Sequence, residues 1–508
     1  MKNRVMKTAL LLTCITFLGK ITAFFRETLI ATVYGASSVT DAYLVAFSLT
    51  NTVFMTFGAA IGTTVIPSYM NLKTNSDIKQ TNSYLKSFFS VLILFSLVIS
   101  LVAVICAPYL IKTLFPNLVQ IKLAILLTRI LFPTLVLMTI NAFITNILNV
   151  SKIYLPASFT VLIGNLIVVL FLVLNKNTHS IFPLVWGQVA SLIFQVICLI
   201  ILLLKYKLYI KVSFFKINFN LIQEDVKNMI PIISVTILMQ ANALVERFLA
   251  SSLDQGAITQ ISIAYKITDF LISILITVLG TILYPDFSEL HVKKEDIKLS
   301  NLLSKSIKII IIITVPLTAG ALLYAHNIVD VLMGYGKFNE NNVEYTSKIF
   351  LLYSFSISLL VLNSIVTRFL YAVRKNRIVF INQIFYTISN IVLGLIFVQY
   401  LQGYGIPIAF SLSTFISLGM LLISIKGTFI NFNLKSFIWF ISRVIGTTGV
   451  MIIVLVTINT FIFNTYIQLF VGVAAGALIY LIMLYALKIE EVREVTRFRK
   501  RVNYGVSS

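Results

Sequence analysis

Seven basic side chains lie inside otherwise apolar stretches: Lys20, Arg26, Arg129, Arg247, Lys266, Arg368 and Arg443. Acids accompany them at Glu27, Asp41, Glu246 and Asp269. A charge at the centre of an apolar span costs at least about 2.5–3.5 kcal/mol on insertion scales, so such residues face a cavity or one another. A cavity lined by Lys and Arg prefers an anion, because guanidinium offers phosphate a planar fork and ammonium a compact charge. Lys20 and Glu27 are seven positions apart and share a helix face, whereas Arg26 lies about 120° round from Lys20. Both cations reach one spot only if the helix bends or the site is broad. Glu246 and Arg247 recreate the Arg26–Glu27 neighbours later in the chain, and Lys266 and Asp269, three apart, share a face. Two readings stay open for the acids: internal ion pairs that lock helices, or part of a binding site. Arg26 and Lys266 are the cations most suited to meet a substrate. Arg129, Arg368 and Arg443 lie nearer segment ends, where a long side chain snorkels to the interface.

No other chemistry stands out. The chain has no phosphate-cradling Gly loop ending in Lys-Ser/Thr, no nucleophile elbow and no HExxH. Cys14, Cys106 and Cys198 sit inside apolar runs without metal or redox spacing, and His179, His291 and His326 fall in three separate loops. No metal and no cofactor is expected, and energy must come from an ion gradient, the membrane potential or substrate supply.

The elements that position these charges follow from composition. Of 508 residues, 58% are hydrophobic and 11% charged, with a mean hydropathy of +0.97. So few charges cannot solubilise so much apolar surface, which excludes a soluble enzyme, a disordered chain and a disulfide scaffold. An all-α polytopic membrane protein remains. Polar breaks mark fourteen apolar segments. Pro133, Pro231, Pro285 and Pro316 inside or beside them predict bends.

The net charge of +22 sits mainly between segments, where it sets topology and meets anionic lipid rather than nucleic acid. The N-terminus and every second loop hold 28 of the 40 cations, the intervening loops five. That bias predicts a multi-pass protein of the cytoplasmic membrane with both termini in the cytoplasm. The basic, apolar start mimics a signal peptide, but no small-x-small site follows, and the run continues past Arg26.

The two halves repeat at an offset near 220. RETLIATVYGAS from Arg26 matches RFLASSLDQGAI from Arg247, GTTVIP at 62–67 matches GTILYP at 280–285, APYLIKTLF at 107–115 matches AHNIVDVLM at 325–333, and TNILNV at 145–150 matches TRFLYA at 367–372. Six segments per half make a parallel repeat, with substrate expected between two lobes. The predicted organisation is an N-lobe at 1–205, a cytoplasmic linker at 206–228, a C-lobe at 229–426, two extra helices at 427–488 and a basic tail at 489–508. The run RFRKR at 497–501 reads as an anchor to anionic lipid.

The stretch KITAFFRETLIATVYGASSVTDAYLVAFSLTN, followed by GTTVIPSY, resembles the first two helices of the MurJ/MviN lipid II flippases, whose superfamily also holds polysaccharide exporters and multidrug antiporters. VERFLASSLDQGAITQISIAYKITDF, followed by GTILYP, resembles helices 7 and 8 of that family, and GYGKF at 334–338 the loop before helix 10. The resemblance implies transport of lipid II, the undecaprenyl-diphosphate-linked peptidoglycan precursor, from the inner to the outer leaflet. It implies a central cavity lined by cations of helices 1, 2 and 8, and a lipid-tail groove formed by helices 13 and 14. By position, Arg26 matches the family's helix-1 Arg, Lys20 stands where Arg is usual, Glu27 replaces Asp, Asp41 opens helix 2, and Lys266 matches the helix-8 cation. The family often has Arg just after the helix-2 Asn, whereas Asn51 is followed by Thr52, Val53, Phe54 and Met55. The family's sodium site joins helices 7, 11 and 12; Glu246 and Asn390 could contribute, but Phe410 stands at the helix-12 Thr position.

The expected substrate contacts are therefore Arg26, Lys20, Lys266, Asp41, Glu27, Asn51 and Arg247, with Glu246 and Asn390 as ion-site candidates. The expected activity is flipping by a monomeric transporter rather than an enzyme, with membrane lipids and the cell-wall synthesis machinery as further partners. The alternatives are an exporter of another undecaprenyl-diphosphate-linked unit such as teichoic acid, a membrane glycosyltransferase, and a drug/cation antiporter. The antiporter is disfavoured by the excess of cations over acids.

Overall fold

The computed structural model describes residues 2–75, 77–178, 180–208, 217–426 and 434–486, so that His179 and the basic run at 497–501 lie outside the described residues. Seventeen α-helices follow one another: α1 (Lys2–Tyr34), α2 (Ser38–Asn75), α3 (Ile78–Leu114), α4 (Ile121–Leu131), α5 (Thr134–Val150), α6 (Tyr154–Leu174), α7 (Phe182–Lys205), α8 (Gln223–Ser251), α9 (Ala257–Val292), α10 (Asp296–Leu323), α11 (Ala325–Met333), α12 (Glu340–Ser354), α13 (Ser356–Ala372), α14 (Asn376–Leu401), α15 (Gly405–Ile425), α16 (Leu434–Asn459) and α17 (Thr465–Ala486). Among the described residues, 11 helices or joined helices are long and apolar enough to cross a membrane, or up to 12 if the pair α12–α13, bent by 41°, is one crossing. The chain is a polytopic, all-helical membrane protein. Helices suit this setting because they satisfy every backbone polar group internally.

A helix ends at one of the four prolines singled out in the sequence. Pro133 coincides with the break between α4 and α5, but α8, α9 and α10 run on through Pro231, Pro285 and Pro316, and α2 and α3 through Pro67 and Pro108. Neighbouring helices and Ser/Thr side chains can re-satisfy the carbonyl that a proline frees, which lets a membrane helix continue.

The chain divides into two compact units, Met1–Gln260 with Tyr335–Asn339, and Ile261–Gly334 with Glu340–Ser508. The first unit extends past the linker because α8 packs along α2. Its core is built on Tyr84, Phe88, Phe89 and Phe143, whose rings stack at centroid separations of 4.7–6.4 Å. One charge sits at the edge of that core. Asp225, in the first turn of α8 and 9% exposed, accepts hydrogen bonds from Ser68 Oγ of α2 at 2.6 Å and Tyr84 OH of α3 at 2.7 Å. Three helices thus meet at a single carboxylate.

In the second unit, α14, α15 and α13 pack together, and α16 and α17 pack against α10 and α11. Polar bonds hold the last two helices: Tyr480 OH donates to Ile312 O at 2.8 Å, Tyr324 OH to Asn459 Oδ1 at 3.0 Å, and Asn327 Nδ2 to Gln468 Oε1 at 2.9 Å. Gly472 leaves room for the Tyr324 ring. The other faces of α16 and α17 expose Ile453, Phe470, Leu481 and Ile482.

The sequence repeat has structural counterparts inside each unit. The helix after the APYLIKTLF match is broken in both halves, at Phe132-Pro133 and at Phe355. The glycine of GTTVIP, Gly62, lies against Asn146, and the glycine of GTILYP, Gly280, lies against the Arg368 guanidinium. Asn146 and Arg368 are themselves equivalent positions of the TNILNV/TRFLYA match. The repeated glycine therefore has a packing cause: it makes room for a polar side chain on the neighbouring helix.

Four helix ends share one turn. Lys152 (φ 62), Lys207 (φ 55), Lys294 (φ 55) and Arg374 (φ 59) follow α5, α7, α9 and α13. In each, the next residue's N–H bonds to the carbonyl five positions back: Ile153 to Leu148 at 2.8 Å, Leu208 to Leu203 at 2.9 Å, Glu295 to Leu290 at 3.1 Å and Lys375 to Leu370 at 2.8 Å. This is the Schellman closure, whose left-handed residue is usually glycine. A side chain there costs roughly 1–2 kcal/mol, and a cation beside the helix C-terminus regains only about 0.3–1 kcal/mol.

Removing the Asp225 carboxylate tests the three-helix junction. Asp225→Ala is expected to lower stability in detergent by about 3 kcal/mol, with Tyr84→Phe and Ser68→Ala costing about 1.5 kcal/mol each. Denaturation of the single and double variants checks this, since residues sharing one carboxylate should be non-additive.

Candidate functional site

Lys20, Arg26, Glu27, Asp41, Asn51, Glu246 and Arg247 belong to the first unit, and Lys266 and Asn390 to the second. Arg26 is the best defined. It lies on α1, whose packing partner is α6. Consecutive helix residues do not ordinarily face each other, yet Arg26 bends round so that Nη2 meets Glu27 Oε1 at 2.7 Å, with the two side chains only 16% and 15% exposed. Nη1 donates to Asn165 Oδ1 of α6 at 3.1 Å. Asn165 is fixed in turn by a 3.4 Å bond from Nδ2 to Gly19 O. The guanidinium Nε is buried without a partner among the described residues. Arg26 is thus desolvated, charge-matched by one carboxylate, and left with one donor unused.

Glu27 is ion-paired with Arg26 in this state. Asn165 is a residue the sequence argument missed, although a lone Asn in VLIGNLIVV was its available signal. Lys20, Glu246 and Lys266 are half-buried, and Asn51 is half-buried on α2. Arg247, the repeat counterpart of Arg26, donates from Nη1 to Ala243 O of its own helix at 2.9 Å. In the second unit, Asn390 is 5% exposed, and Phe410 packs edge-on against Tyr265, Tyr353 and Tyr386. Among the described residues, no group of three His, Cys, Asp or Glu could hold a metal.

The three outlying cations follow no single rule. Arg129 is exposed and reaches Val104 O at 3.3 Å, Arg443 stacks on Trp439 with its guanidinium carbon 3.0 Å from the ring centroid, and Arg368 is half-buried against Gly280.

A second cluster of the first unit surrounds Asp41. Its carboxylate accepts from the N–H of Gly256 at 2.7 Å, the N–H of Thr259 at 2.9 Å and Thr259 Oγ1 at 2.6 Å. Those donors open α9, so Asp41 caps that helix from another one and sits at its positive end. Three left-handed glycines close the cluster: Gly35 (φ +69), Gly256 (φ +87) and Gly336 (φ +73). A Cβ on Gly35 would meet Lys337 O at 2.7 Å, and one on Gly256 would meet Ala36 O at 2.6 Å; one on Gly336 would strike Thr32 O. The N–H of Lys337 bonds to Thr32 O at 2.8 Å. The end of α1, the turn before α9 and the loop at 335–339 are therefore in direct backbone contact. Gly35 and Gly256 begin the repeated Gly-Ala pairs, and these contacts account for both.

The family model described as "Lipid II flippase MurJ" matches residues 30–475. The chain belongs to that family. It is 27% identical over 506 residues to the "Probable lipid II flippase MurJ" of Buchnera aphidicola subsp. Schizaphis graminum (strain Sg), across 96% of this chain and 97% of that one. A solved structure described as "Lipid II flippase MurJ, inward closed conformation" superposes with a TM-score of 0.82 at 22% identity, across 95% and 100% of the two chains. An inward-facing multidrug resistance MATE family transporter of the MOP superfamily superposes with a TM-score of 0.65 at 14% identity, across 84% and 95%. These likenesses carry the fold. Within this MurJ-family frame, Arg26 and Asp41 are the two resemblance positions whose side-chain geometry is most fully determined.

The glycine cluster is testable by stability. Gly256→Ala is expected to cost about 1–3 kcal/mol, because the left-handed backbone and the Ala36 carbonyl both oppose a Cβ. Gly320→Ala, on α10 with open space around it, should raise helix stability by up to about 1 kcal/mol. Thermal unfolding of the two variants in one detergent checks the contrast.

Proposed function

We propose that this MurJ-family chain flips lipid II from the inner to the outer leaflet of the cytoplasmic membrane by alternating access, without chemical catalysis. The observation that carries this reading is the Arg26–Glu27–Asn165 group: a desolvated guanidinium inside an apolar helix, matched by a single carboxylate and retaining a bare Nε. A diphosphate is the anion best able to displace Glu27, because it brings two charges and a bidentate acceptor edge. Lys20 and Lys266 add charge for the same headgroup, with Asp41, Asn51 and Arg247 as further polar contacts. Binding would favour closure by replacing the internal ion pair with a stronger one. The exposed apolar faces of α16 and α17 support a track for the lipid tail, which never has to leave the bilayer.

The proposed topology has fourteen crossings in two six-helix lobes, 1–205 and 229–426, followed by two extra helices. The joined span α14–α15 is 50 residues, about 75 Å at 1.5 Å per residue, more than twice the hydrocarbon thickness. Its chain reverses near Gln402, where φ is 52 and ψ −134. Counting it as two crossings and adding α1, of 33 residues, brings twelve to fourteen. An even number, with the cation bias, supports a topology with both termini in the cytoplasm. The coupling source is an ion gradient or the membrane potential, with Glu246 and Asn390 as the ion-site candidates. We propose a monomer that hands its product to the cell-wall synthesis machinery.

A second reading, export of another undecaprenyl-diphosphate-linked unit, is favoured by the missing cation after Asn51, which leaves the site less basic than the family pattern. Conditional depletion separates the two: lipid II should accumulate in the inner leaflet, and accumulation of a teichoic-acid or polysaccharide intermediate instead would favour the second. Arg26→Ala is expected to insert normally and abolish transport. Normal growth of cells whose only copy is Arg26→Ala would refute the proposal.

A further inference from the structure

We infer that Lys152, Lys207, Lys294 and Arg374 are docking points for anionic phospholipid headgroups of the inner leaflet. This rests on the topology proposed above, which puts the ends of α5, α7, α9 and α13 on the cytoplasmic side.

The argument starts from the shared turn. The residues before the four cations are Ser151, Tyr206, Lys293 and Val373, and those after are Ile153, Leu208, Glu295 and Lys375. Of these three positions only the left-handed one repeats its chemistry, and there it is always basic; the Leu whose carbonyl closes the turn is constant as well. At that position a side chain costs more than the helix terminus returns. The same chain uses glycine at three other positive-φ turns, Gly35, Gly256 and Gly336, where backbone contact is what matters; Gln402, with ψ −134, belongs to a different turn. Conformation alone would therefore have called for glycine four more times.

The four cations are free to act outward. All are exposed, and among the described residues none is in an ion pair, whereas nearby Lys293 and Lys298 are engaged by Glu289 and Glu295. Three of them sit at an interface between apolar and polar surroundings. Leu204 and Tyr206 precede Lys207, Val292 precedes Lys294, and Tyr371 precedes Arg374, all exposed by 41% or more. Exposed aliphatic and Tyr side chains just before a cation match the boundary between acyl chains and headgroups. A free anion in solution would need no such apolar approach. Anionic lipid supplies the missing compensation, because each cation near such a surface gains from its potential.

The test compares the full chain with a variant carrying Lys152→Gly, Lys207→Gly, Lys294→Gly and Arg374→Gly. Both are placed in nanodiscs of phosphatidylcholine alone or with phosphatidylglycerol, and thermal unfolding is followed. In phosphatidylcholine the glycine variant should melt no lower than the parent, because the turn strain is relieved. The rise in melting temperature that phosphatidylglycerol gives the parent should fall by at least half. Asn at the same four positions tolerates the left-handed region and should lose the rise in the same way, which keeps the test open if glycine loosens the turns. Removing four other exposed cations, through Lys73→Ala, Lys79→Ala, Lys227→Ala and Lys298→Ala, should lower the rise by much less than half.

Three outcomes overturn the inference: the glycine and asparagine variants keep the full rise, the control variant loses as much, or inorganic phosphate in phosphatidylcholine reproduces it. Labelling of Lys294→Cys by an impermeant maleimide in intact cells would instead overturn the topology, and with it the assignment to the inner leaflet.

Discussion

A charge inside a membrane has to be answered locally, and the interior of this chain is organised around three such answers. Arg26 is answered by Glu27 and Asn165, Asp41 by the opening N–H groups of α9, and Asp225 by Ser68 and Tyr84. Removing one partner from a buried pair typically costs 3–5 kcal/mol, because the other charge is left exposed to a low dielectric. That penalty makes each group a fixed point of the first unit. It also gives an anionic substrate leverage: whatever replaces Glu27 at Arg26 must supply a full negative charge at the same place.

The two carboxylates Asp41 and Asp225 act on backbone and hydroxyl donors rather than on cations. Such bonds are shorter-ranged than ion pairs and require the partner helix to be in register. Asp41 is the more demanding, since it binds the N–H groups of both Gly256 and Thr259 at a helix start that is itself in contact with left-handed glycines.

Much of this was legible in the sequence. Composition and cation bias led to a polytopic helical protein, and RETLIATVYGAS and RFLASSLDQGAI pointed to both Arg26 and the glycine turns before either was seen. The match of GTTVIP with GTILYP marked equivalent positions, and Gly62–Asn146 and Gly280–Arg368 are the contacts found there. What sequence could not supply was pairing. Helical periodicity put Lys20 and Glu27 on one face and Arg26 on another, yet a long flexible guanidinium reaches its immediate neighbour. Of the prolines singled out in the sequence, only Pro133 breaks a helix: in apolar surroundings a helix is the cheapest backbone state, so α8, α9 and α10 continue through Pro231, Pro285 and Pro316. Asp225, which carries no signal in the sequence, is a junction because α8 packs on α2, a long-range contact that no local pattern encodes.

The central claim is that Glu27 occupies, on Arg26, the place an anionic headgroup takes. Its most direct measurement is the affinity of purified Glu27→Gln for lipid II in nanodiscs, set against the unaltered chain. If the carboxylate competes with the diphosphate, the Gln variant binds more tightly, by about tenfold where 1.4 kcal/mol of competition is removed. Unchanged or weaker binding by a folded Glu27→Gln protein would contradict the account.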